Sequence, residues 1–543
     1  MTIRRLSMLF CGVLVCGVLS MGGATAVEPG EATPFVRDVR TGYLLNCTFR
    51  AIRPYIWKQT PLLTGWETDA RGGGWESSPS GFFPGNFAFH KDWFKLRDAS
   101  AQHAVTIRHQ IARQTEGTIT LELRFMLPAA LDGAAWQLRD LTNVAVGLVV
   151  CDGNLSYETA DRPVPIMPLE LNHEYGIRVD ADLDAQTATI YVDGERQARG
   201  VPFACPVRSV DYVRITTGES AVGEMFLPLV RVAKGYTACE TFVTCAPDRV
   251  PDDWTAQGPA RVAPLPSASG PDIFSLQLSE RAEVTRPWER CSGRTVWEFK
   301  LLLPARCDGA VAQLVDDTGR AGTIATRDGH LCYVDPQGQC VPLVADYRGN
   351  LWYAFKVVAD PESGAAEIFV NGKPAGVASA FSAPAKRFQA MRFAMSGAGV
   401  LWVDDVRVYA WQDYPADYVP PPQPAALRGD CLLGVQSCSL WKEGDAYAGW
   451  DYVYPFADRR KPLLGWYDEG NPEVADWEIK WQVEHGIQFE QYCWYRPNDA
   501  INYPIKDGVL EHGIRDGLFN ARYSQLKKFT IMYTNQGAGD TNP

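Results

Sequence analysis

"TLELRFMLPAALDGAAWQL" (Thr120–Leu138) and "VWEFKLLLPARCDGAVAQL" (Val296–Leu314) are two versions of one pattern. Pro128 answers Pro304, Asp132-Gly133 answers Asp308-Gly309, and Gln137-Leu138 answers Gln313-Leu314, all at one offset of 176 positions (304 − 128). "DGNLSY" from Asp152 and "DGHLCY" from Asp328 keep that offset, and "ATIYVDGERQARG" (Ala188–Gly200) answers "AEIFVNGKPAGVA" (Ala366–Ala378) with a shift of two. A duplication of this length means two copies of one domain. Each copy alternates apolar and polar residues over short runs punctuated by Asp-Gly, Asn-Gly or proline, the pattern of antiparallel strands in a sandwich. Asp193-Gly194 and Asn371-Gly372 supply the positive φ angles of tight hairpins. The expectation is an all-β jelly-roll sandwich of about 180 residues per copy, spanning 27–236 and 237–411.

The repeated strand, Val/Asp/Asn-Gly turn and closing Val-Arg-Val strand resemble the laminin-G-like, concanavalin A-type lectin/glucanase sandwich. Catalytic members of that superfamily carry clustered carboxylates on one strand, as E-x-D-x-x-E or E-x-D-x-E, and this sequence has none. Sugar binding and simple packing against the next domain remain open for both copies. Asn46-Cys47-Thr48 and Asn154-Leu155-Ser156 match the glycosylation sequon.

Upstream, "MTIRRLSMLFCGVLVCGVLSMGGATAVE" combines Arg4 and Arg5, an apolar run from Leu6 to Val18 and the small residues Ala24-Thr25-Ala26. This reads as a secretory signal peptide over 1–26, so the chain is expected to be secreted or periplasmic. No other apolar run reaches about 18 residues, so no membrane anchor is expected after cleavage. Of 14 cysteines, Cys11 and Cys16 leave with the signal; Cys239 with Cys245 and Cys332 with Cys340 are the closest remaining pairs, and one or two bridges are expected. A net charge of −12 offers no basic surface, which argues against nucleic acid. The histidines form no HExxH and no other close pair, so no metal site is expected.

"YPADYVPPPQPAALRGD" is a proline-rich linker over 412–430. Beyond it the pattern changes to strand (Cys431–Cys438), helix (Asn471–Gly486), strand (Ile487–Tyr495), helix (Gly508–Leu526) and strand (Lys528–Asn535), which are parallel βαβ units. Asn471 is a good N-cap, Pro472 fits the first helical position, and Gly486 stops the helix.

"RKPLLGWYDEGNPEVADWEIKWQVEHGI" (Arg460–Ile487), "YCWYRP" (Tyr492–Pro497) and "FTIMYTN" (Phe529–Asn535) closely resemble the start of the glycoside hydrolase family 99-like domain, also called WbsX-like. The resemblance implies that 431–543 is the first part of a (β/α)8 TIM barrel acting on glycans, following the two sandwiches. Known family 99 hydrolases are endo-acting α-mannosidases that use a carboxylate pair with retention, so the resemblance implies neither a metal nor an organic cofactor. A full barrel takes about 250 residues, and about 110 follow the linker. The expectation is therefore a truncated barrel without its catalytic carboxylates, inactive as this chain. Gln436-Ser437 and Glu490-Gln491 stand where the family carries aromatics.

Loops after the strands build the ligand face of such a barrel. They place Trp441, Trp450, Trp466, Tyr467 and Asp468, then Trp494, Tyr495 and Arg496, then Asn535, as candidate glycan contacts. Aromatics would stack on sugar faces and the polar groups would hydrogen-bond hydroxyls; loop packing is the other role open to each aromatic. Asp468 and Glu469 read as surface charge favoured by the helix dipole, and Glu490 as a carboxylate needing a partner if buried. Three functions follow: a secreted glycoside hydrolase-like protein, a non-catalytic polysaccharide-binding protein, or a glycosyltransferase-like protein.

Overall fold

The computed structural model describes residues 42–47, 66–78, 93–219, 221–264, 274–288, 293–319, 321–335, 337–371, 373–378, 386–411, 418–426, 432–441, 444–445, 462, 464, 467–494 and 512–533. The signal-like segment lies outside them.

The duplication is visible strand by strand. In the first sandwich, sheet 1 runs Glu195–Pro202, Thr187–Val192, Glu174–Asp182, Thr118–Met126, Gly223–Lys234 and Gly42–Cys47. Sheet 2 runs Val164–Pro168, Asn154–Tyr157, Val144–Cys151, Ala135–Arg139, Val210–Thr216, Thr106–Gln114 and Trp66–Asp69. The second sandwich follows the same two paths. Sheet 3 runs Lys373–Ala378, Ala366–Val370, Leu351–Ala359, Thr295–Leu303, Val400–Ala410, Phe274–Ser279 and Ala260–Pro264. Sheet 4 runs Cys340–Val344, His330–Val334, Ala321–Arg327, Ala310–Asp316, Phe388–Met395, Ala282–Pro287 and Thr255–Gln257.

The repeated turns have a steric cause. Gly133 and Gly309 have φ of 86° and 96°, and an added Cβ would sit 3.2 Å from Gly218 Cα or 2.5 Å from Gly397 N. Two backbones cross at that point in each copy, so only glycine fits. Asp193, Gly194 and Asn371 also have positive φ, as a tight hairpin requires. Each sandwich closes on its own core: Phe125, Trp136 and Tyr175 in the first, Trp297, Phe299 and Phe393 in the second.

The copies differ in what covers their outer faces. Gly176 of sheet 1 lets the connecting segment approach, since a Cβ there would meet Thr244 O at 2.2 Å. That segment carries Glu240, fully buried, and Arg178 on sheet 1 bonds Glu240 Oε2 at 2.8 Å and also pairs with Asp253. Arg286 of sheet 4 reaches the same Asp253 at 3.4 Å. Burial alone would raise the Asp253 carboxyl, but Arg178 and Arg286 hold it down at about 2. A buried ion network thus joins the two sandwiches, with Glu122 beside it pushed up to about 7 by burial.

The C-terminal part holds three parallel strands, Gly434–Ser437, Phe489–Trp494 and Lys528–Tyr533, adjacent in chain order. Helix α1 (Pro472–Glu484) starts as its sequence dictates: Asn471 Oδ1 accepts from Glu473 N at 3.0 Å and Pro472 opens the first turn. It buries two stripes, Ala475, Ile479 and Val483 towards the sheet, and Val474 and Trp477 towards the linker residue Val419. The linker is therefore docked, and Arg522 and Tyr523 bond the Val419 carbonyl at 2.6 and 3.0 Å.

The expected second helix, Gly508–Leu526, takes another form over its described part. A π turn (Gly513–Gly517) and two 3-10 turns (Leu518–Asn520, Ser524–Leu526) replace it. Gly513 and Gly517 pack flush against Ser439 and Glu469, where any Cβ would collide at 2.2 Å. Close approach has taken precedence over helical propensity. Of the two closest cysteine pairs, Cys332 and Cys340 are bridged, whereas Cys239 and Cys245 are buried thiols.

Candidate functional site

Sheet 2 presents an outer face on which one straight rung of residues crosses five strands and ends on the residue just after a sixth. Register pairs Glu67 with Arg108, Arg108 with Arg214, Arg214 with Gln137, and Gln137 with Gly147. Glu158 N bonds Gly147 O at 2.8 Å and completes the row. With strands about 4.8 Å apart, the rung is about 24 Å long.

Its hydrogen bonds run in series. Arg214 Nη1 donates to Gln137 Oε1 at 3.1 Å, and Gln137 Nε2 donates to the two oxygens of Glu158 at 2.9 and 2.8 Å. Gly147 is what permits this, because a Cβ would fall 1.7 Å from Glu158 Oε2. The carboxylate lies down across the sheet only because that strand has no side chain beneath it. Burial raises the Glu158 carboxyl and lowers the Arg214 guanidinium, while the bonds from Gln137 and the charge of Arg214 oppose the first shift. At the other end Arg108 Nε donates to Glu67 at 3.1 Å, and its guanidinium lies 4.6 Å over the ring of Tyr212. A row of donors and acceptors beside an aromatic ring suits a flat polyhydroxylated ligand.

The second sandwich keeps the middle of this rung and neutralises the rest. Arg392 and Gln313 are paired in register and hydrogen-bonded, but Thr255, Thr285, Thr323 and Val334 replace Glu67, Arg108, Gly147 and Glu158. Gln313 Nε2 turns to Thr323 Oγ1 at 2.8 Å. Ala390 stands where Tyr212 does in the first copy. This face carries no motif in the sequence that marks it out. Its one available signal was Gln137 matching Gln313, a polar residue inside an otherwise apolar repeat.

The C-terminal candidates fall in three groups. Trp450, Trp466, Tyr495, Arg496 and Asn535 lie outside the described residues, and Trp494 closes its strand. Tyr467 packs into the apolar cluster of Val419, Leu464 and Trp477. Trp441 and Asp468 come together beyond the C-terminal end of the first parallel strand, where His512 Nε2 lies 3.3 Å from Trp441 O and 3.7 Å from Asp468 Oδ1.

Glu469 departs from the surface-charge reading, and Glu490 is buried with the partner that burial requires. Glu469 is buried, accepting from Trp441 N at 2.8 Å, and burial together with Glu478 raises its carboxyl well above the usual range. Glu490 points to the helix side of the sheet and is paired with buried Lys527. Burial and the charge of Glu490 push Glu478 up to about 8. Among the described residues no cluster of His, Cys, Asp or Glu could hold a metal ion, and no helix is long and apolar enough to cross a membrane.

No family model matches the chain, and no curated protein matches it. Among solved structures it is similar to a sialidase, at 12% identity and a TM-score of 0.27 over 49% of this chain and 30% of that one. It is similar to the N-terminal CBM22-1-CBM22-2 tandem domain from Paenibacillus barcinonensis Xyn10C, at 10% identity and a TM-score of 0.19 over 69% and 99%. A third is the catalytic domain of the glycoside hydrolase family 131 protein from Coprinopsis cinerea, at 13% identity and a TM-score of 0.25 over 36% and 94%. The chain thus spans less than a third of the sialidase's length. Overlap this low leaves function to be read from the side chains.

Proposed function

We propose that this chain is an exported carbohydrate-active protein whose first sandwich binds an extended glycan along the outer face of sheet 2. The observation that carries the reading is the rung Glu67, Arg108, Arg214, Gln137, Gly147, Glu158 with Tyr212 beside it. Arg214 and Glu158 are half-buried and pre-oriented by Gln137, so little side-chain freedom is lost on binding. Sugar hydroxyls both donate and accept, which a row with a carboxylate at each end and two arginines and an amide between them can satisfy along its length. The signal-like N-terminus supports export. The test is affinity electrophoresis of the full chain through gels containing neutral or acidic polysaccharides. At least one should retard the wild-type protein and not Arg214→Ala; equal mobility of the two proteins in every gel would refute the reading.

A second reading, glycoside hydrolysis by the C-terminal part, is favoured by one observation. Trp441, Asp468 and His512 gather beyond the C-terminal end of a parallel strand, the end at which βα loops build sites. In this reading the three strands open a family 99-like barrel, with Trp441 and Asp468 on its glycan-binding side. Release of reducing ends from α-linked mannan, lost in Asp468→Asn, would support it.

A further inference from the structure

We propose that Cys438 and Cys493 form a redox couple that closes into a disulfide across the first two strands of the parallel sheet. Ser437 is in register with Tyr492, so the next residue on each strand comes side by side, and the two Sγ atoms lie 2.8 Å apart. A disulfide holds its sulfurs at about 2.05 Å, so closure needs a movement of less than about 1 Å. The surroundings hold sulfur in place: Gln436 Nε2 donates to Cys493 Sγ at 3.3 Å and to Met532 Sδ at 3.6 Å.

Accessibility sets the order of events. Cys438 is half-buried and Cys493 is buried, so Cys438 meets an external disulfide first. Its thiolate attacks one sulfur of that disulfide, RSSR, forming the mixed disulfide and expelling RS⁻. Cys493, as thiolate, then attacks the Cys438 sulfur and expels the second RS⁻. Two thiols lose two electrons and two protons, and RSSR becomes two RSH. Cys239 and Cys245 cannot compete: burial pushes the Cys239 thiol up to about 12 and the Cys245 thiol well above its ordinary value. The bridge would pin the start of the loop that carries Trp441 to His512.

The experiment is peptide mapping of the full chain. The protein is equilibrated in glutathione buffer at a ratio that oxidises the Cys332–Cys340 pair fully, blocked with iodoacetamide and digested without reductant. The expected product is a peptide joining Cys438 to Cys493, with two hydrogens fewer than the two thiol peptides. In Cys493→Ser, Cys438 should keep one glutathione, because the thiol that would displace it is gone. Alkylation of both wild-type thiols, or a bridge from either to another cysteine, would overturn the proposal. A Cys493→Ser protein alkylated at Cys438 would do the same.

Discussion

The two sandwiches share strand order, turn chemistry and a central Arg–Gln pair, yet they spend their outer faces differently. Sheet 1 of the first copy is covered: Gly176 admits the connecting segment, and Arg178, Glu240 and Asp253 form a buried ion network reaching Arg286 of the second copy. Sheet 2 of that copy carries a charged rung laid over Gly147, whereas the equivalent rung of sheet 4 has two threonines on one side of its Arg–Gln pair and a threonine and a valine on the other. After a duplication the strand cores are held by packing, and the outer faces are free to diverge. The copy that carries the charged row, rather than the one whose equivalent row is largely uncharged, is where a ligand is expected.

The largest expected effect separates the two uses of arginine in the first copy. Arg178→Met takes the guanidinium from fully buried Glu240 and leaves Asp253 only its longer arginine contacts, to Arg196 and Arg286, so unfolding free energy should fall by about 3–5 kcal/mol. Arg214→Met, on the rung, should cost about 1 kcal/mol or less. Urea titration of both variants checks this, and equal losses would erase the distinction between a structural and a ligand-facing network.

Next comes a substitution that converts one copy into the other. Gly147→Thr places the second copy's residue under Glu158 and must displace that carboxylate. Glycan affinity should drop at least about tenfold, about 1.4 kcal/mol, with little change in melting temperature. Unchanged affinity in a calorimetric titration would mean that the Gly147 gap has no part in binding.

The interface adds a pH dependence of definite sign. Glu122 is raised from 4.5 to about 7, so between those values the folded state holds a proton that the unfolded state has released. Stability should therefore decline as pH rises through that window, by at most about 3 kcal/mol. Glu122→Gln removes the titrating group. Melting curves from pH 4.5 to 8 should converge at the acid end and separate at the alkaline end, with the variant more stable; parallel curves would contradict this. The smallest effect is Tyr212→Ala, which copies Ala390 and should weaken glycan binding several-fold through lost stacking. The same titration reads it.

The sandwich fold was legible because its signals are local. Repeated Asp-Gly turns, alternating strands and the fixed offset between Pro128 and Pro304 all reflect short-range chemistry. The start of α1 was legible for the same reason, from Asn471 and Pro472. The segment after Gly508 was not, because contacts to Ser439 and Glu469, far off in sequence, decide its shape. Glu469 followed suit: charge beside a helix start reads as surface, and only the tertiary partner Trp441 shows it buried. The charged rung was half-written. Gln137 stood out in the repeat, but Glu67, Arg108, Arg214 and Glu158 come from four further strands, and register alone aligns them.

The most direct measurement is a calorimetric titration of one polysaccharide that retards the wild-type protein into the wild-type chain, Arg214→Ala and Arg392→Ala. The two arginines occupy the same register in the two copies, so the pair isolates the surroundings from the residue. Binding lost in Arg214→Ala and kept in Arg392→Ala is the predicted result. Equal loss in both, or loss only in Arg392→Ala, would contradict the assignment of the glycan to the first sandwich.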